Sequence, residues 1–241
     1  MAPFFPATLN PGRRLTLGLL IVAAALACAK VPCAAQTPTS ALKDLLRSEF
    51  WADVEPVPAV GDVWPVTPEL ARSRILEEAA WVFGGIVWGF EFSYTPYDRT
   101  RAIAERFDIT PITTLPADAP RLAPGARAST AQEYRSFAEF RPDTALITLM
   151  DGYQSGAWKN AQGIGRADMN LGVKGRREAL KDSLRSALRS LLQGLEPNKP
   201  RLARGRVVFD TPPSLAIIGG YYTAHSRVRA MVIEVIPYTL Y

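Results

Sequence analysis

The chain has 241 residues, with 28 basic and 23 acidic side chains, one histidine and two cysteines, for a formal net charge of +5. One histidine and two cysteines cannot supply the several nitrogen or sulfur ligands of a structural zinc site. Part of the positive charge sits in the first residues: without residues 1–35, 25 basic residues face 23 acidic ones, a balance that does not suggest a nucleic-acid binder.

Residues 1–35 contain no acid, and Arg13-Arg14 precede a nearly continuous apolar run from Leu15 to Ala29. A cationic start, a short apolar core and then small residues is the order of a secretory signal peptide. The run is shorter than the ~20 residues a membrane span needs, so a signal peptide over 1–35 is expected and no transmembrane span in the mature chain. Pro32 and Cys33-Ala34-Ala35 place cleavage between Ala35 and Gln36. The alternative is lipidation at Cys28, within Ala25-Leu26-Ala27-Cys28, with the usual leucine one position out of register. Cleavage after Ala35 would leave no cysteine, hence no disulfide and no thiol chemistry. The remaining 206 residues are enough to bury a core without cross-links.

Residues 36–66 read as a helix and then a proline-rich connector. Leu42, Leu45, Leu46 and Phe50 have helical spacing between Ser40 and Asp53, and Pro56, Pro58 and Pro65 stiffen the connector. Thr67-Pro68-Glu69 is a helix start, and Gly84-Gly85 is expected to end or break that helix. From Ile86 to Asp98, Trp88, Phe90, Phe92 and Tyr94 alternate with smaller or polar residues, the period of a strand with one aromatic face. Asp98 is expected to cap a short helix from Arg99 to Phe107.

Five prolines and glycines over 111–128 suggest a loop or lobe boundary. Strands are expected over 133–141 and 145–150, then a long irregular loop over 151–170. Gly163-Ile164-Gly165 in that loop lacks the third glycine of a dinucleotide fingerprint. Leu180, Leu184, Leu188, Leu191 and Leu195 form the apolar stripe of a helix from Arg176 to Leu195. Three strands are expected in the tail: 206–210, then a hairpin of 214–223 and 227–238 around Ala224-His225-Ser226. The order lacks βαβ alternation. It predicts a single α+β domain over 67–241, with a mainly antiparallel sheet of about five strands and helices on one face.

Candidate chemistry is sparse. His225 is the only histidine, and no Gly-x-Ser-x-Gly elbow accompanies it. Glu91 and Glu234 lie within apolar strands, and two carboxylates converging on a cleft would suit acid–base hydrolysis. Asp143, Asp151, Asp168 and Asp210 would need their loops gathered to hold a cation, so no metal and no cofactor is expected. Trp88, Phe90, Tyr94 and Tyr97 either pack the core or line a groove for a ligand. Arg177, Lys181, Arg185 and Arg189 recur every four residues on one helix side. That side is either an ion-paired solvated face or a surface for an envelope protein, membrane or polyanion.

The stretch Ile75-Leu76-Glu77-Glu78-Ala79-Ala80-Trp81, with Trp88-Gly89-Phe90 and Tyr94-Thr95-Pro96-Tyr97-Asp98, resembles exported spirochaete proteins of unassigned function. The resemblance spans about a quarter of the mature chain. It implies a periplasmic or envelope setting and carries over no catalytic residue. The expectation is an exported binding or interaction protein, with a carboxylate hydrolase or a carrier of a small apolar ligand as alternatives.

Overall fold

The computed structural model describes residues 44–54, 63–130, 133–195 and 198–238. The expected signal peptide over 1–35, with its cleavage position between Ala35 and Gln36 and the alternative lipidation at Cys28, and most of the proline-rich connector lie outside them. Pro38–Tyr241 groups into one compact unit. Among the described residues, three α-helices and nine strands make up an α+β fold, and every strand pair is antiparallel.

The first element is a strand, β1 (Leu46–Asp53), not the expected helix. It pairs along its full length with β5 (Glu133–Phe140), from Leu46 opposite Phe140 to Asp53 opposite Glu133. Leucine spacing fitted a helix, but the residues from Leu46 onward also alternate. Eight ladder rungs and the burial of Phe50, Trp51 and Ala52 decide for the strand. β4 (Leu122–Ser129) joins the other side of β5, so part of the expected 111–128 loop is a strand of this three-stranded sheet.

Helix α1 (Pro68–Val87) starts as expected, with the Thr67 hydroxyl accepting from the Leu70 amide at 3.2 Å. It runs through Gly84-Gly85. A Cβ at Gly85 would lie 2.6 Å from the Phe90 ring and 2.8 Å from Phe209, so glycine here brings the helix onto the sheet instead of ending it. Gly89, at φ +77°, is where the chain turns. Trp88 is therefore the helix cap, and β2 (Phe90–Thr95) begins two residues later than its aromatic alternation starts.

A second sheet is built on β2. Its order is β3 (Arg106–Pro111), β2, β7 (Leu202–Phe209), β9 (Tyr221–Ile236), β6 (Lys159–Asp168). β8 (Ser214–Ile218) pairs with the first part of β9. Several expectations change here. Asp98 does accept from the Thr100 and Arg101 amides, but it closes a turn and not a helix. The chain folds back at once, Asp98 bridges Ile103, and β3 comes next. Residues 144–152 form helix α2 (Thr144–Gly152), because the Asp143 carboxylate caps it through the Leu146 amide at 3.0 Å. The hairpin turn lies at Gly219-Gly220, whose φ values of +59° and +81° suit a two-residue turn, so His225 stands inside β9.

Helix α3 (Gly172–Leu195) is the expected long helix, begun four residues earlier. Leu180, Leu184 and Leu188 are fully buried, whereas Leu195 is exposed and Leu192 takes the inner position. α3 lies directly on β6. A Cβ on Gly163 would come within 2.0 Å of the Ser183 carbonyl oxygen, and one on Gly165 within 2.1 Å of the Ser183 amide. The glycines expected in a flexible loop are thus strand residues that let a helix with Ala179, Ser183 and Ala187 on its inner face touch bare backbone.

The core has aromatics on both sides of α1. Phe83 meets Phe50 edge-on at 5.8 Å and Phe140 at 6.4 Å, both in the three-stranded sheet. Trp81 meets Phe90 at 4.8 Å and Phe209 at 5.8 Å in the larger one. Arg176 of α3 ties back to α1 by a two-pronged ion pair with Glu78, Nε to Oε2 at 2.7 Å and Nη2 to Oε1 at 3.0 Å.

Candidate functional site

The candidate residues of the sequence fall into distinct places. Phe90 is buried among Trp81 and Phe209, so it belongs to the core and not to a partner surface. Trp88 is half-buried at the end of α1. Tyr94 and Tyr97, by contrast, line one open groove of about 410 Å³ with Arg189, Glu105, Leu192 and Lys199. Two features widely separated in sequence, the aromatic strand and the last turns of the cationic helix, therefore meet.

The geometry comes from side chains of β2 and of the last turns of α3 converging on Glu105. β2 alternation sends Tyr94 inward, its ring edge-on to Phe107 at 6.2 Å, while its hydroxyl reaches the groove. That hydroxyl donates to Glu105 Oε1 at 2.6 Å. Arg189 grips the same carboxylate, Nη2 at 2.6 and 2.5 Å from its two oxygens and Nε at 3.0 Å from Oε1. Burial opposes ionisation of Glu105, but the hydrogen bonds from Arg189 and Tyr94 outweigh it and hold the carboxyl below its usual range. Burial, then the bond to Glu105, pushes the Tyr94 phenol up to about 12. Tyr97 leaves its ring 56% exposed at the rim, and its carbonyl accepts from Lys199 Nζ at 2.9 Å. Glu105 had no local signal, since the arginine that engages it lies 84 residues away.

The rest of the cationic stripe is occupied by acids and a ring. Arg177 lies 4.6 Å over Trp81, and burial pulls its pKa down. Lys181 pairs with Glu178 at 2.9 Å, and Arg185 pairs with Asp182 and approaches Glu105 at 3.9 Å. This is the ion-paired face, not an open polycation.

Glu91 and Glu234 lie on the solvent side of the larger sheet, each beside an arginine of β7: Arg206 at 3.7 Å from Glu91, and Arg204 at 3.1 Å from Glu234. Asp143 binds Arg121 and caps α2, Asp168 accepts from the Asn170 amide, and Asp210 binds Arg229 at 2.6 Å. Among the described residues, no three His, Cys, Asp or Glu side chains gather as a metal site. His225 is exposed in β9 opposite Ser214, with Asp210 committed to Arg229, so no serine–histidine–acid relay forms there. No described helix is long and apolar enough to cross a membrane.

A protein-family profile matches residues 33–238. An uncharacterised protein of Treponema pallidum (strain Nichols) is 31% identical over 193 residues, covering 80% of this chain and 81% of that protein. The chain belongs to this family of uncharacterised proteins. No solved structure matches it.

Proposed function

We propose that the chain is exported and acts in the periplasm or cell envelope as a non-enzymatic binding protein. It is released by cleavage between Ala35 and Gln36 or tethered through lipid on Cys28. The observation that carries the binding role is the convergence of Tyr94, Tyr97 and Arg189 on one open groove. Its ionisable groups already satisfy one another, with Tyr94 and Arg189 both committed to Glu105. No group there is poised as a nucleophile or free base, whereas the exposed Tyr97 ring and Lys199 offer stacking and donor contacts to a partner protein. The apolar run, the cationic start and the small residues at 33–35 support export, and the region shared with the family begins at Cys33, beside the expected junction.

The test is a photo-cross-linking residue at position 97 of the full chain in intact cells, read by mass spectrometry. A single protein adduct at 97, absent when the cross-linker stands at the exposed Glu91, is expected. The same spectra should contain a first peptide starting at Gln36 or an acylated Cys28. Equal adducts at both positions would remove the groove, and a cytosolic chain retaining Met1 to Ala35 would remove export. The carrier reading keeps one observation of its own, an apolar cleft of about 490 Å³ lined in part by Ile86, Met150, Val208 and Phe209.

A further inference from the structure

Arg176 is 4% exposed, and its guanidinium is only partly used. Nε and Nη2 hold Glu78, and the flat face lies 3.9 Å over the Trp51 ring. The remaining nitrogen, Nη1, is buried with no hydrogen-bond partner among the described residues. The Trp64 indole nitrogen is buried and unpartnered in the same way. Both side chains line one cavity of about 170 Å³, away from the Tyr94 groove. Leaving a buried donor without an acceptor is unfavourable, so two at one cavity call for a group that brings acceptors and no donors of its own.

We propose that this cavity is a binding site for a small monocarboxylate, whose two oxygens take the hydrogen bonds of Arg176 Nη1 and Trp64 Nε1. Size and charge select that class. The volume equals that of roughly five or six waters, enough for acetate or a slightly longer acid. Arg74, Lys174, Arg176 and Arg177 line it against Asp53, Glu77 and Glu78, a small cationic excess that admits one negative charge. Three carboxylates in the same wall work against a dianion such as phosphate. The first turn of α3 also opens here through Val173 and Lys174, which favours an anion. Trp51 and Trp64 supply the apolar wall for the rest of the molecule.

The probe is sodium acetate, titrated into the full chain against sodium chloride at matched ionic strength. Tryptophan fluorescence and Tm are the readouts. Acetate is expected to change the fluorescence saturably and raise Tm, with chloride inert. Trp64→Phe keeps an aromatic ring but loses the pyrrole half of the indole with its N–H donor, and is expected to weaken acetate binding about tenfold, the worth of one such bond. Lys174→Gln, at an exposed position of the cavity wall, is expected to weaken it severalfold and guards against a folding defect in the first variant. Identical responses to acetate and chloride would leave the cavity to solvent and overturn the proposal. So would a saturable response to inorganic phosphate in place of acetate, or unchanged acetate affinity in both variants. None of these outcomes touches the cross-linking test at Tyr97.

Discussion

Asp53 stands where its own charge is unwelcome. Burial raises its pKa, and this effect exceeds the opposing pull of Arg176 and the hydrogen bond from Tyr222, whose hydroxyl donates to Oδ2 at 3.0 Å. A carboxyl with a raised folded value contributes stability that is complete below its unfolded value, near 4, and lost as pH climbs through the folded value. The wild type thus carries a charging cost at neutral pH that an amide would not. Asp53→Asn is expected to raise Tm at pH 7, with the gain vanishing below about pH 4; Tm measured across that range checks both ends. Lower stability of the variant at pH 7 would mean that the attraction to Arg176 outweighs burial. Arg176 has the opposite balance. Burial works against its charge, but Glu78, with Asp53 and Tyr222 behind it, overcomes that and raises its pKa.

At the scale of elements, the seam between β6 and α3 is the least forgiving contact. Gly163→Ala would drive a methyl to 2.0 Å from a carbonyl oxygen and 2.5 Å from the Ala187 amide, both backbone and unable to swing away. Such overpacking is expected to cost ~3 kcal/mol or more, measured as a lower urea midpoint at unchanged slope. Gly194→Ala, which would meet nothing within 4 Å, is the control and is expected to be neutral or slightly stabilising. The same seam explains what the sequence concealed. Gly163 and Gly165 look like loop residues until a helix of small side chains is known to lie across them. Local pattern was a good guide where one segment makes its own case: the Thr67-Pro68-Glu69 start, the leucine stripe of α3 and the Phe90–Tyr94 alternation all appear in the fold. It misled at Leu46–Asp53, where a distant strand supplies the pairing, and at Thr144–Gly152, where one aspartate cap outweighs β-branched residues. The candidate site divided likewise. Tyr94, Tyr97 and Arg189 were visible as features of their own segments. Glu105 and the Arg176 pair with Glu78 were not, because they exist only through contacts 84 and 98 residues apart.

For the molecule as a whole, α1 is shared property. Its Phe83 packs into the three-stranded sheet, and its Trp81 and Gly85 pack on the six-stranded one. Both sheets lose core contacts if that helix leaves, so unfolding of Pro38–Tyr241 is expected to be one transition. Fluorescence and far-ultraviolet circular dichroism should trace superimposable urea curves. Phe83→Ala is expected to cost about 3–5 kcal/mol and to shift both curves together. Separated midpoints would mean that the sheets are independent units.

The sixteen residues of β9 give this arrangement a timekeeper. Val228, Arg229 and Ala230 have β6 on one flank and β7 on the other, while Tyr221 to His225 lie between β6 and β8. Amide hydrogens at Val228 to Ala230 can trade for deuterium only after a central strand is freed, which requires the whole unit to open. Those three positions should fill last, at the pace of global unfolding, long after the amides of the edge strand β3.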